Sequence, residues 1–264
     1  MLLDIAARRA DFRALHAEGY FLLPTAWDIG GAKRIEALGY AGVATTISSL
    51  AWTLGRDVKD ISRDDVLRHL RQLVGATEIA INADYGFGFA MNPLELIDNV
   101  HMAIDTGVAA LCIGDHIGDE LVPMDAAVSR IEACRCAIES SGADVVLVAR
   151  TESLLIEGLG TEAAIARLAA FSSAGADVLV LPGLSDPNVI GATVNTLASR
   201  ALDIPLAAPG ITAKELGQLG VRRISVGDAF ADATWASFDR VAEEFIDYGD
   251  VASECVPSLD EAVH

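Results

Sequence analysis

Eight short apolar runs, each followed by a segment of helical period, constrain this chain more than any other feature. The runs cover residues 21–24, 42–46, 78–84, 109–113, 144–150, 177–181, 205–208 and 222–226, and most are near-continuous in Val, Ile, Ala and Leu. An opening amphipathic helix is expected at 5–17, and further helices at 30–38, 63–75, 93–106, 124–140, 161–174, 188–198, 212–219 and 232–248. Strands that are apolar on both faces and separated by helices imply a parallel sheet covered from outside. Eight such units in 264 residues favour a closed (β/α)8 TIM-type barrel over an open doubly wound sheet. Gly39, Gly75, Gly107, Gly142, Gly175 and Gly220 each close a helix just before a strand, as αβ loops require. Ser62 and Thr161 precede helical segments in the manner of caps. We expect one barrel domain over 1–248 and an acidic tail over 249–264 that frays or packs on a neighbouring subunit.

A chain of this length that is 52% hydrophobic can bury a large core as one domain. Its net charge of −19 repels polyphosphate, so neither nucleic acid nor an anionic membrane surface is expected as a partner; a small anion in a local pocket is compatible with it. Cys112, Cys134, Cys136 and Cys255 have neither zinc-site spacing nor the density of a disulfide framework, which suits free thiols in a reducing compartment. There is no leader-like start, and no apolar run approaches the ~20 residues of a membrane helix. A cytoplasmic protein is the expectation.

In such a barrel the chemistry lies at the carboxyl ends of the strands. Those ends carry Trp27 and Asp28, then Thr45, Thr46, Ser48 and Ser49, then Asn82 and Asp84, then Asp115 and His116, then Arg150, Thr151 and Glu152. Asn82 and Asp84 alternate onto one face of their strand, ahead of a turn containing Gly86 and Gly88. Several of these residues have plainer readings: Asp28 as a helix cap ahead of Gly30-Gly31, Ser48 and Ser49 as solvated loop, and His116 as the cap of the next segment. Arg150 is harder to treat so, because a guanidinium ending an apolar strand needs an anionic partner. Gly227-Asp228 reads as a strand-to-helix turn without chemistry.

From about Phe21 to Arg240 the chain resembles the isocitrate lyase and phosphoenolpyruvate mutase superfamily. The resemblance rests on Ala26-Trp27-Asp28 with Ala32-Lys33, Thr45-Thr46 with Leu50-Ala51-Trp52-Thr53-Leu54-Gly55, and Asn82-Ala83-Asp84-Tyr85-Gly86-Phe87-Gly88. Ala149-Arg150-Thr151-Glu152, Leu181-Pro182-Gly183-Leu184 and Leu219-Gly220-Val221-Arg222-Arg223-Ile224-Ser225 complete it, in order and spacing. It implies an enzyme that makes or breaks C–C or P–C bonds next to a 2-oxo acid carboxylate, through an enolate stabilised by magnesium. It also implies a homo-oligomer, a dimer or a tetramer, with an exchanged C-terminal helix. By resemblance Thr46, Ile47 and Ser48 receive the substrate carboxylate, Arg150 contacts substrate or leaving group, and Asp57 lies in a mobile loop and assists the metal or the reacting group. The substrate-binding candidates are thus Trp27, Asp28, Thr46, Ile47, Ser48, Asn82 and Arg150; the catalytic candidates are Asp57, Arg150 and His116; the metal candidate is Asp84.

The sequence departs from this pattern where the metal should be. The superfamily's strand-three motif is Asp-x-Asp, and its first carboxylate position is Asn82 here; the Glu-Asp that ends strand four is Gly114-Asp115. Magnesium favours charged oxygen ligands, so both changes weaken the site. Three readings stay open: weak magnesium binding through Asp84, Asp57 and substrate oxygens; a metal-free specialised enzyme relying on Arg150, loop amides and His116; or a ligand-binding pseudoenzyme. The Lys-Lys-Cys-Gly-His loop of isocitrate-cleaving members is absent, the corresponding stretch being Gly118-Asp119-Glu120-Leu121-Val122-Pro123, so isocitrate lyase activity is not expected.

Overall fold

Eight parallel strands close into a barrel in the computed structural model, which describes residues 4–156, 159–197, 200–206 and 210–249. The order around the sheet is β1 (Phe21–Leu23), β10 (Arg223–Ser225), β9 (Ala201–Asp203), β8 (Val178–Val180), β7 (Val146–Arg150), β4 (Ala110–Gly114), β3 (Ala80–Asp84) and β2 (Gly42–Ala44). A Thr25–Ala44 bridge closes the ring, with Ala26 N–H donating to the Ala44 carbonyl at 2.9 Å and Ala44 N–H to the Pro24 carbonyl at 2.8 Å. Closure leaves this eight-stranded sheet without a free edge. Helices α2 (Ile29–Ala37), α4 (Arg63–Ala76), α5 (Pro93–Ile104), α6 (Met124–Ser141), α7 (Thr161–Ser173), α8 (Pro187–Thr196) and α9 (Ala213–Gln218) connect the strands, and α10 (Ala229–Tyr248) follows the last.

Strand alternation sorts the apolar residues into two layers. Val43, Ile81, Leu111, Leu147, Leu179, Leu202 and Ile224 belong to the outer core beneath the helices. Leu23, Ala44, Ala80, Cys112, Val148 and Val180 belong to a second, smaller core inside the barrel. Phe12 of α1 (Ile5–Ala14) joins that inner core and is fully buried. It presses on Gly42, the first residue of β2, where an added Cβ would lie 2.9 Å from the ring, so α1 plugs the amino-terminal end. The carboxyl-terminal end is left for the polar residues.

The plug also carries an acid-sensitive group. His16 stands edge-on to Phe12 and Phe21 (ring centroids 5.2 and 4.9 Å apart), and burial, aided by Arg223, lowers its pKa to about 4. Burial likewise lowers His69 of α4 to about 4. Both are neutral when folded yet take up a proton near pH 6.5 when unfolded, so stability is complete above that pH and is lost as pH falls from about 6.5 towards 4. Tm is therefore expected to drop over that window, and His16→Gln or His69→Gln to flatten the profile; an unchanged slope in both variants counts against this origin.

Two expectations need correction. The seventh strand is Ala201–Asp203, on the amino side of Pro205, rather than 205–208. Pro205 has no N–H to give a ladder, whereas Ala201 and Leu202 pair in register with Val178 and Leu179; residues 207 and 208 lie outside the described residues. The segment after Thr46 is a helix, α3 (Ile47–Leu54), capped by Thr46 and ended by Gly55 at φ 62°, rather than a loop. A short hairpin, β5 (His116–Ile117) with β6 (Glu120–Leu121), follows β4. Of the expected tail, 249–264, all but Gly249 lies outside the described residues.

Candidate active site

Strand β3 ends in a turn held from two neighbouring helices. Gly86 and Gly88 adopt φ of 52° and 76°, and an added Cβ at Gly86 would lie 2.9 Å from Ile47. Asn99 of α5 donates its amide to the Gly88 and Phe89 carbonyls at 3.0 and 3.2 Å, and Tyr85 donates its hydroxyl to the Asn99 carbonyl at 2.9 Å. Arg130 of α6 donates to the carbonyls of Ala90 (2.7 Å) and Phe87. The turn is thereby fixed before any ligand arrives, which is what precise placement of Asp84 requires.

Asp84 and Arg150 meet across the mouth of the barrel. Arg150 Nη2 lies 3.3 Å from Asp84 Oδ1, and its Nε lies 2.8 Å from Glu152, although off the N–H direction. Asp84 also accepts from the backbone N–H groups of Gly86 (3.2 Å) and Ile47 (3.3 Å). Burial alone would lower the Arg150 pKa, but the Asp84 carboxylate, with that of Glu152, more than offsets it and holds the guanidinium charged. Beneath the pair, Cys112 is a buried thiol pushed up to about 12 by desolvation, so it is no nucleophile at neutral pH. Gly114 faces the same space: a Cβ there would be 3.6 Å from Arg150 Nη2 and 3.4 Å from His116 Nδ1. His116 Nδ1 is buried and has no hydrogen-bond partner among the described residues. Asp115 turns away, accepting from Glu152 N–H at 3.0 Å and from buried Arg167 at 2.8 Å, and so anchors the segment that follows Arg150.

One inward-facing position deeper lies a second polar layer. Arg223 donates through Nη1 to Asn82 Oδ1 (3.0 Å) and through Nε to Asp203 Oδ2 (2.9 Å). Ser225 donates to Asp203 Oδ1 through its hydroxyl (3.0 Å) and its backbone N–H (3.1 Å). Asn82, Asp203 and Arg223 are 4%, 1% and 2% exposed, so this ion pair is inside the barrel and shielded from solvent. On the rim, Asp228 draws together three hydroxyls: Thr46, Ser48 (2.6 Å) and Ser49 (2.7 Å) all donate to its carboxylate. That clamp ties the start of α10 to the start of α3.

The sequence-derived candidates thus fall into two groups. Asp84, Arg150 and His116 converge with Gly114, and Ile47 joins them through its N–H. Thr46 and Ser48 are tied to Asp228, and Asn82 to Arg223. Asp28 caps α2 by accepting from Gly31 N–H at 2.6 Å, and Trp27 is half-buried beside it. Asp57 is exposed, 3.2 Å from Lys59, and no hydrogen bond or ion pair among the described residues links it to Arg150 or Asp84. Asp203, Arg223 and Asp228 were missed. Asp203 falls outside the expected strand seven, and the only sign of Arg223 was a charged residue inside an apolar strand, the signal already read at Arg150.

These donors do not fit a magnesium ion, which needs near-octahedral oxygen ligation. The Asn82 oxygen faces a guanidinium, Gly114 offers no donor, and both Asp84 oxygens accept protein N–H or guanidinium contacts. Among the described residues no three His, Cys, Asp or Glu side chains gather as a metal cluster would.

A closed barrel with a charged pair at the carboxyl ends of its strands is the architecture of a (β/α)8 enzyme. A family model described as phosphoenolpyruvate phosphomutase matches residues 12–246, and the chain belongs to that family. It is 30% identical over 258 residues to an oxaloacetate decarboxylase of Chromohalobacter salexigens, covering 89% of this chain and 85% of that one. A crystal structure from Burkholderia cenocepacia J2315, of a protein named only provisionally as a lyase/mutase, superposes with a TM-score of 0.93 at 31% identity, covering 98% and 95% of the two chains. An oxaloacetate acetylhydrolase in complex with its product oxalate superposes with a TM-score of 0.88 at 25% identity, covering 98% and 94%.

Proposed function

We propose that this enzyme is a lyase acting on a small 2-oxo or hydroxy carboxylic acid, making or breaking a C–C or P–C bond through an enolate-like intermediate. The observation that carries the reading is the charged Arg150 on the inner face of the barrel mouth, beside Gly114, which sets no carboxylate against it. Similarity to an oxaloacetate decarboxylase and an oxaloacetate acetylhydrolase supports a small dicarboxylate as the substrate class. Isocitrate is disfavoured, because residues 118–123 hold neither cysteine nor lysine.

For a 2-oxo acid with a second carboxylate at C3, the chemistry is direct. Breaking the bond from C3 to that carboxylate releases CO2 and leaves its electron pair as an enolate, with negative charge on the C2 oxygen. Arg150, held by Asp84 and by Glu152, meets that oxygen with a preorganised charge, which is where such groups lower a barrier most. Asp84 orients Arg150, and the Ile47 and Gly86 amides orient Asp84. The keto product requires a proton at C3, and His116, beside Gly114, is placed to supply one. Release of pyruvate from oxaloacetate, and deuterium exchange at C3 of pyruvate followed by NMR, test the reading. Activity on neither those acids nor 2-methylated or phosphono analogues would sink it.

The quaternary part of the reading concerns α10. Of its 20 residues only Ala231 is buried, while Trp235, Phe238, Phe245, Ile246 and Tyr248 are exposed. An apolar face of this kind on an otherwise charged surface supports a homo-oligomer in which a second copy covers the helix. Light scattering is expected to give a dimer or tetramer, and Phe238→Glu with Phe245→Glu to shift it towards monomer.

A further inference from the structure

The superfamily pattern puts a divalent cation against a strand-three carboxylate, and here that place has a different tenant. Asn82 presents its oxygen to Arg223 Nη1 at 3.0 Å, and Arg223 is locked from its other side by Asp203 at 2.9 Å. A guanidinium and a divalent cation cannot share one amide oxygen at hydrogen-bonding and coordination distance, because two positive centres would then lie within a few ångströms in a shielded interior. The second change points the same way. Any side chain at Gly114 would project onto Arg150 Nη2 and His116 Nδ1, so glycine leaves Arg150 Nη2 without the carboxylate that a glutamate would set against it.

We propose that this chain meets the developing oxyanion with fixed guanidinium charge in place of a divalent cation, with Arg150 contacting substrate and Arg223 acting through Asn82 as the positioning residue that excludes a metal. The idea rests on the 2-oxo acid reading for its substrate, but its statement about metal does not. Two arginines at different depths of the barrel have different tasks. Arg150, at the rim, shares its charge with Asp84 and Glu152 and retains a face towards ligand. Arg223, below it, is neutralised by Asp203 and keeps Asn82 turned away from any ion.

The test uses Mn2+ as the probe, followed by the EPR signal of the free ion, and oxalate as the enolate-shaped anion, followed by calorimetry. The intact chain is expected to bind no stoichiometric Mn2+ with or without oxalate, and to bind oxalate equally in EDTA and in Mg2+. One Mn2+ per chain, or an oxalate affinity that rises more than about tenfold with Mg2+, overturns the proposal. If oxalate binds under neither condition while Mn2+ also stays free, cation exclusion stands and the substrate reading falls. A second arm isolates Arg223. Asn82→Asp is expected to leave Mn2+ unbound, because the new carboxylate pairs with the guanidinium; tight Mn2+ binding by this single variant would show that Arg223 does not hold the position. Circular dichroism confirms that the near-isosteric variant folds, and the intact-chain arm decides the question if it does not.

Discussion

Arg150→Ala is expected to lower kcat/KM on the best 2-oxo acid by about 10³-fold, because loss of a single oxyanion-stabilising donor costs about 10²–10³ and this change also removes a full charge. The loss should fall mainly in kcat, since the enolate oxygen bears its charge only as the bond breaks. The fold should persist: Asp84 retains the N–H groups of Gly86 and Ile47, and Arg150 lies at the rim rather than among the strands' buried side chains. Arg150→Lys restores charge without the planar fork that spans Asp84 and substrate, so it should recover only part of the rate. Retention of activity within tenfold by the alanine variant would place the chemistry elsewhere. Steady-state kinetics with pyruvate as the measured product, alongside the circular dichroism of each variant, separates the two outcomes.

How far the site could be read in advance follows from which side chains obey strand alternation. Asn82 and Asp84 were placed on one face by counting, and Arg150 was singled out because a charge ending an apolar run needs a partner; the structure supplies that partner as Asp84. Counting could not say which way each polar group is satisfied. Thr46 and Ser48 look like open donors in the sequence, yet they converge with Ser49 on Asp228, which lies 182 and 180 positions away along the chain. Asp57 follows a glycine that resembles a loop hinge, but Gly55 instead ends α3 in a left-handed cap, and Asp57 pairs with Lys59 at the surface. The seventh strand was misplaced because Leu202 and Asp203 sit close to a proline that draws attention to the residues beyond it. Closure of a barrel is a long-range property, so the contact of Arg223 with Asn82, 141 positions apart, leaves no local trace.

Asp203→Ala is expected to produce the largest loss of stability, about 3–5 kcal/mol, because it leaves Arg223 buried and charged with no counter-ion. It also strips Ser225 of the acceptor for both its hydroxyl and its backbone N–H. Removing both charges should cost less than removing one: in Asp203→Leu with Arg223→Met, the desolvation of two ions disappears along with their attraction, and what remains are the Asn82 oxygen and the Ser225 hydroxyl and N–H left without partners, each unpaired buried polar group worth about 1–3 kcal/mol. The double-mutant cycle in urea at neutral pH therefore predicts a large negative interaction energy between the two sites. Additive effects, or a single-variant loss below about 1 kcal/mol, would mean that water or another group stabilises Arg223. The same double variant bears on metal exclusion, because it removes the guanidinium from Asn82. If Asn82→Asp gains Mn2+ affinity only in that background, the buried ion pair has a second role beyond the fold: it keeps the interior of this barrel free of a divalent ion.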